Sequence, residues 1–310
     1  MIQELLEGRS HLINLLDKND SNNSLLNFAC EHHHLPVVSW LLQQPRLLVN
    51  ISNQEGKTAF FVACEKGFTD IVKVMLLSNT TSRPPLSLNT GSSHQFPMSI
   101  ACKNGHAGVV KEILEHGGDV VDVNRLIRGS ALTNACDSGN TEILELLLND
   151  PKIDVNQKIF RGSTLLHHVC QKNQLPQLQR VLQVPTLDFN QQSDLGSTPL
   201  MVACQYGSVS IVSELLKYKK VNPNLCDSTK RTALWFAKEK TTLKFLSILC
   251  TPHWVIDTTT KPEGEEYPSQ YANYLVEYAR DTDKFRKKYG TQSYEPPHSR
   301  KIFRFFSHFL

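Results

Sequence analysis

The chain has 310 residues, of which 40% are hydrophobic, 8% aromatic and 20% charged, and its formal net charge is +3. This composition is too apolar for a disordered chain, and the charge is too small to predict nucleic-acid binding. No stretch reaches the roughly eighteen apolar residues of a membrane helix. Residues 1–7 are acidic and lack the apolar core of a secretory signal, so we expect a cytoplasmic protein.

The first twenty residues are predicted to form an N-terminal capping helix. They contain Leu12, Ile13, Leu15 and Leu16, but these residues do not fit the periodicity of the sequence that follows. The end of a repeat array needs a segment with a polar outer face to cover its core. We therefore predict that residues 1–20 cap the array.

Residues 21–250 contain a repeat that the cysteines reveal. Six cysteines follow one another at spacings of 34, 38, 34, 34 and 34 residues: Cys30, Cys64, Cys102, Cys136, Cys170 and Cys204. One further step of 34 residues reaches Lys238. A fixed period in the thirties is typical of a helical repeat array, so about seven units are predicted.

Each unit keeps the same phase around its marker cysteine. Six residues before the marker, all units but one have a hydroxyl that can cap a helix: Ser24, Thr58, Ser130, Thr164, Thr198 and Thr232. Three residues after it, five of seven units have a residue that tolerates positive φ: Gly67, Gly105, Gly139, Asn173 and Gly207. A second apolar pattern follows, as in Ile143, Leu144, Leu147 and Leu148. Each unit therefore predicts two helices joined by a tight turn.

The motifs resemble those of the ankyrin repeat. Its elements are represented by Thr198-Pro199-Leu200, Ala203-Cys204, Gly105-His106 and Asp154-Val155-Asn156, and other units end in Asn50, Asn124, Asn190 and Asn222. The motif histidine is present only as His167, and residues 82–87 form an insertion. The resemblance covers residues 21–250 and implies an all-α solenoid of stacked helix-turn-helix units with short hairpin tips.

The C-terminal part of the chain differs from the repeats. Residues 251–270 contain three prolines and a glycine and are predicted to be a linker. Residues 271–310 are predicted to be helical, and the last helix carries Phe303, Phe306, Phe309 and Leu310 on one side. This helix could cap the final repeat, bind a partner or lie on a membrane surface. The tail also loosely resembles a module that recruits ubiquitin-ligase components, but lacks its expected cysteine.

No motif predicts catalysis or a bound metal. Marker cysteines lie in successive helix layers, about 8–10 Å apart, so they cannot share a zinc ion and are predicted to be core thiols. Residues 32–34 are predicted to be surface and turn histidines, and His167 a structural hydrogen-bonding histidine, because no second ligand pair accompanies them. No nucleophile–base pair and no phosphate or dinucleotide fingerprint is present. We therefore expect no enzyme activity, no metal and no cofactor.

The ankyrin resemblance implies that a partner binds the concave surface formed by the hairpin tips and the exposed face of each first helix. The residues predicted there are Lys57, Glu65, Lys66, Lys103, Ile127, Arg128, Phe160, Arg161, Gln171, Lys172, Leu195, Gln205 and Tyr206. Aromatic and arginine side chains often dominate interface energies, so Phe160, Arg161 and Tyr206 are the predicted anchors. The chain is therefore predicted to be a monomeric protein-binding scaffold. The alternative is a ubiquitin-ligase substrate adaptor or a bacterial effector with a functional C-terminal tail.

Overall fold

The computed structural model describes residues 13–17, 22–78, 85–92, 95–118, 121–122, 124 and 130–238. The predicted linker, 251–270, and the predicted helical segment, 271–310, lie outside these residues. Two short strands, β1 (Leu16–Asp17) and β2 (Asn23–Ser24), pair antiparallel. The helices described are α1 (Leu25–Glu31), α2 (Leu35–Leu42), α3 (Ala59–Lys66), α4 (Thr69–Leu77), α5 (Pro97–Lys103), α6 (Ala107–His116), α7 (Ala131–Ser138), α8 (Thr141–Leu148), α9 (Leu165–Lys172), α10 (Leu175–Val181), α11 (Pro199–Gln205), α12 (Val209–Leu215) and α13 (Ala233–Lys238).

The chain divides into two compact units. The first unit consists of Met1–Phe160 and Pro176–Leu187, and the second of Arg161–Leu175 and Asp188–Leu310. In the first unit, α1, α3, α5 and α7 pack one on the next, as do α2, α4, α6 and α8. In the second unit, α11 packs between α9 and α13 and also contacts α12. In the part of the chain that the structure describes, no helix is long and apolar enough to cross a membrane.

The predicted helix starts are confirmed, but the predicted hydroxyl cap is absent before α13, where Thr232 Oγ1 has no hydrogen-bond partner among the described residues. In four first helices the hydroxyl six residues before the marker accepts a hydrogen bond from the backbone N–H three residues later, at 3.1–3.3 Å: Ser24, Thr58, Ser130 and Thr198. Phe96 takes this position before α5 and makes no such bond. There Pro97 begins the helix, where its missing N–H has no partner to lose.

The predicted turns between paired helices are also confirmed. The residue three after each marker has a positive φ in all six described turns: His33, Gly67, Gly105, Gly139, Asn173 and Gly207. At Gly67, where φ is +80°, a side chain would also collide with the His106 ring, since an added Cβ would lie 2.5 Å from Nδ1. Gly67 is therefore required both by backbone conformation and by the close approach of the next repeat.

The marker cysteines lie in the core, as predicted. All six are buried free thiols. Burial raises the pKa of the Cys30, Cys136 and Cys204 thiols to about 12 and raises the pKa of the other three strongly. Since only the thiolate is a good nucleophile or metal ligand, these cysteines act as small core side chains.

A ladder of asparagine side chains joins successive repeats. The Asn124 amide donates to Lys152 O at 2.7 Å, and its oxygen accepts from the backbone N–H of Asp154 at 3.0 Å. Equivalent bonds are made by Asn50, Asn89 and Asn156 in the first unit and by Asn190 in the second. Each bond satisfies backbone groups of the next loop that helices cannot pair.

The N-terminal segment differs from its prediction. The described residues 13–17 form a turn and β1 rather than part of a helix, while residues 1–12 and 18–20 lie outside the described residues. Ile13 is buried, and Asn14 bonds to Arg46 O and to the backbone N–H of Leu48 at 2.8 and 2.9 Å. Asn14 thus belongs to the asparagine ladder, so residues 13–14 do fit the repeat phase. The phase was not recognised because no marker cysteine precedes them.

Candidate functional site

The predicted partner-binding residues are divided between the two units, and each set defines a predicted binding surface. The first-unit surface comprises Lys57, Glu65, Lys66, Lys103 and Phe160. The second-unit surface comprises Arg161, Gln171, Lys172, Leu195, Gln205 and Tyr206. In both, the hairpin loops and the C-terminal ends of the first helices supply the residues. Ile127 and Arg128, also predicted, lie outside the described residues.

The hairpin tips of the second unit are held in place by backbone hydrogen bonds. Within one tip, Ser193 N donates to Ser197 O at 3.0 Å, and Gly196 has a φ of +77°. Between neighbouring tips, Asp194 N donates to Arg161 O at 3.1 Å and Ser228 N donates to Leu195 O at 3.0 Å. The backbone of Leu195 is therefore fixed on both sides, while its side chain is 63% exposed.

A buried carboxylate organises the next hairpin. Asp227 Oδ1 accepts bonds from the backbone N–H groups of Thr229 and Arg231, both at 2.9 Å, and Oδ2 accepts from Arg231 Nε at 2.8 Å. Burial alone would raise the pKa of Asp227, but the hydrogen bonds from Arg231 and Thr229 outweigh it and lower the pKa below its ordinary value. This loop is therefore built around an ionised aspartate.

The helix ends of the second unit bring two predicted residues together. Gln171, at the end of α9, donates from Nε2 to the Tyr206 hydroxyl oxygen at 2.8 Å. The Tyr206 side chain is 51% exposed, so the bond orients a ring that remains accessible. Lys172 and Gln205 are exposed beside these two residues in sequence. The second-unit surface therefore combines an oriented aromatic ring, two amides and a lysine.

Lys57 in the first-unit surface is already paired. Its ammonium lies 2.9 Å from Glu65 Oε2 and 3.0 Å from Glu55 Oε2. Burial alone would lower the pKa of Lys57, but hydrogen bonds and charge attraction from these glutamates raise it. A partner would meet a cluster of one lysine and two glutamates here, with an excess of negative charge, rather than a single cation, which the sequence did not predict. Lys66 and Lys103 are exposed, as expected.

The turn at Phe160–Gly162 has an unusual backbone. Arg161 has a φ of +58° and Gly162 a φ of +68°. A Cβ on Gly162 would collide with the Asp194 carboxylate, so this position accepts only glycine. The Phe160 side chain is 77% exposed.

The first repeat carries an exposed aromatic residue that is not among the predicted binding residues. Phe28 on α1 is 44% exposed, and its ring centroid lies 4.3 Å from that of His32. Its position in the helix matches Val62, Ile100 and Val202 in later repeats, so an aromatic at this place was a usable signal. His33 stacks on Phe68 at 4.2 Å and bonds to Asp70. Among the described residues, no group of three or more His, Cys, Asp or Glu could hold a metal ion.

Comparison with known proteins places these features in a family. A family model described as "Ankyrin repeats (3 copies)" matches residues 1–84, 84–159 and 161–261. The chain is 33% identical over 92 residues to a rice protein, "Probable E3 ubiquitin-protein ligase XBOS32", covering 30% of this chain and 18% of the relative. It is 38% identical over 117 residues to the bovine "SMC5-SMC6 complex localization factor protein 1", covering 38% of this chain and 11% of the relative. The matched segment thus spans less than a fifth of either relative.

Two solved structures share the fold. The ankyrin repeat domain of Bcl-3 superposes with a TM-score of 0.66 at 21% identity, covering 74% of this chain and 99% of that domain. The human ASB11 ankyrin repeat domain gives a TM-score of 0.57 at 21% identity, covering 73% and 97%. At this identity the likeness concerns the fold alone, and it confirms the predicted all-α repeat solenoid.

Proposed function

Since the chain belongs to the ankyrin-repeat family, whose repeats form protein–protein interaction domains, we propose that it is a non-enzymatic scaffold that binds a partner protein. The binding surface comprises the hairpin tips and the C-terminal ends of the first helices. The observation that carries this proposal is the exposure of Leu195, whose backbone accepts a bond from the next hairpin tip, and of Tyr206, whose hydroxyl Gln171 holds. Exposed apolar side chains on a fixed backbone lose little conformational entropy on binding.

Paired alanine variants test this proposal. In affinity purification from the source cells, the double variant Leu195→Ala/Tyr206→Ala should recover at least about tenfold less of a partner protein than the unmodified chain does. This is the scale expected for interface anchors. Leu77→Ala is the matched control, because Leu77 is 62% exposed but lies on a second helix, α4. Equal recovery of every partner with both variants would contradict the proposal.

The alternative is a ubiquitin-ligase substrate adaptor or a bacterial effector whose activity lies in the C-terminal tail. The name of the rice relative supports the adaptor, although the match covers only 18% of that protein. Deleting residues 261–310 distinguishes the two. A scaffold keeps its partner, whereas an adaptor keeps its substrate and loses the ligase components that purify with the full chain.

The proposal includes a cytoplasmic location. The cysteines at positions 30, 64, 102, 136, 170, 204 and 226 are free thiols, the form that a reducing compartment maintains. Fractionation of the source cells should therefore recover the chain in the cytoplasm. Recovery in an oxidising compartment would contradict this part of the proposal.

A further inference from the structure

The two units carry opposite charge. Among the described residues, the first unit has nine Lys and Arg against thirteen Asp and Glu, and the second unit has eight against four. Of these four described acids, Glu214 lies 2.7 Å from Lys217 and Asp227 lies 2.8 Å from Arg231. The second unit therefore presents an excess of positive charge to a partner.

Part of this charge lies within the second-unit surface. Lys172 is exposed at the end of α9 and pairs with no carboxylate among the residues that the structure describes. Its chain neighbour Gln171 holds the Tyr206 phenol by a 2.8 Å bond. This differs from Lys57 in the first unit, which lies between two glutamates. The ammonium of Lys172 can therefore receive a carboxylate from outside the chain.

The Tyr206 hydroxyl adds a directional donor to the second-unit surface. In its bond with Gln171 the phenol oxygen accepts, so the phenol O–H is left to donate. Hydrogen bonds to ionised acceptors are shorter and stronger than neutral ones, so a carboxylate is the preferred acceptor. At the hairpin tip, the exposed Leu195 side chain offers an apolar contact. A partner bound by charge alone would not use this contact.

We propose that the second-unit surface binds an extended acidic segment of the partner protein. Its Asp or Glu side chains pair with Lys172 and the Tyr206 hydroxyl, and a large apolar side chain packs on Leu195. The inference rests on the proposed function and adds the chemistry of the partner. The charge complementarity sets specificity and association rate, while the apolar contact supplies affinity.

Selection from a random peptide library tests the inference. The full chain is immobilised and used to enrich phage-displayed 16-residue peptides, whose sequences are then read. We expect enriched peptides to contain more Asp and Glu than the library and at least one large apolar residue. Their dissociation constants should rise as salt increases from about 50 to 300 mM, because exposed charges are screened over about a Debye length.

Charge-reversal variants localise the effect. Lys172→Glu should weaken the binding of the enriched peptides about tenfold, since it replaces charge attraction with repulsion. Lys219→Glu is the matched control, because Lys219 is exposed in the same unit and gives the same change in net charge outside the second-unit surface. It should change affinity less than about twofold.

The outcomes separate the two proposals. The acidic-segment proposal is wrong if the selected peptides depend on Tyr206 but are neutral or basic, or if they bind the Lys172→Glu variant as tightly as the unmodified chain. Either result would leave the proposed scaffold function standing. The acidic-segment proposal is also wrong if a single-stranded oligonucleotide of equal charge binds with equal affinity and displaces the acidic peptides. Negative charge alone would then be sufficient for binding. Selection of no peptide that depends on Leu195 or Tyr206 counts against both proposals.

Discussion

Single residues join neighbouring repeats through specific hydrogen bonds. The buried His167 accepts a bond at Nδ1 from Thr164 N at 3.1 Å, so Nε2 carries the proton and bonds to Ser197 O at 2.9 Å. This confirms the structural role predicted for that histidine. The sequence could identify the residue but not its second partner, because Ser197 lies in a different repeat.

We predict that His167→Ala lowers the free energy of unfolding by about 1–3 kcal/mol, because it leaves one buried and one partly buried backbone group without this partner. Urea unfolding followed by circular dichroism measures the change. His168→Ala, at the half-exposed neighbouring position, is the control and should cost less than about 0.5 kcal/mol. Equal costs for the two variants would contradict the role given to His167.

Asp227 predicts a pH effect. Its pKa is lowered in the folded state, so its stabilising contribution is fully present above the ordinary aspartate pKa of 3.8 and is lost as pH falls through the lower folded value. Asp227→Asn should therefore cost about 1.5–3 kcal/mol at pH 7, and the difference from the natural chain should shrink below about pH 4. The pKa of Asp70 is also lowered. Because Asp70 is present in both the unmodified chain and the variant, the difference between their unfolding free energies reports on Asp227. A difference that stays constant down to pH 2 would exclude this linkage.

Helix pairs follow the sequence more closely than loops do. The marker cysteines located the first helices because burial of a small side chain repeats with each unit. The pairing of Gln171 with Tyr206 and the neutralisation of Lys57 could not be predicted, since each depends on which rotamer a long side chain adopts. Asn89 was missed as well, because the insertion shifts it away from the regular spacing.

The buried face of a second helix gives a prediction about packing. Leu147 on α8 is fully buried, so Leu147→Ala should lower the free energy of unfolding by about 2–5 kcal/mol. Leu77→Ala removes the same atoms from an exposed position and should cost less than about 0.5 kcal/mol. Equilibrium urea denaturation gives both values, and a cost below about 1 kcal/mol at Leu147 would contradict the register of α8.

At the scale of the whole molecule, the family match and the stacked helices confirm the predicted ankyrin-repeat fold. Because each marker cysteine lies in a different repeat, the labelling rates of the cysteines report on the packing of several repeats in one experiment. The six marker thiols should react with iodoacetamide far more slowly in the native chain than in urea, because burial raises their pKa and blocks access. Cys226 is only half-buried and should be labelled first, as mass spectrometry of peptides would show. Rapid native labelling of several marker thiols would contradict the packed core.

The tail carries a prediction that falls outside the described residues. We predict that four residues of the last helix dock on the last repeat around Phe245 and Leu246, because an uncovered array end would expose apolar surface. These four are Phe303, Phe306, Phe309 and Leu310. Hydrogen exchange should then show protection at residues 299–310, and Phe245→Asp should abolish it. Fast exchange there in the natural chain, with protected repeats, would mark a helix that awaits a partner.

The asparagine ladder has a consequence for how insertions are tolerated. The Asn124 amide reaches Lys152 O, 28 residues further on, whereas the Asn50 amide makes the same bond across 35 residues to Pro85 O. The same asparagine bond to the next unit therefore forms whether 28 or 35 residues separate its two partners. A longer loop changes one step and leaves later steps unaltered, so errors of length do not accumulate along the chain. New loops can thus be added at a single joint without redesign of the remaining units.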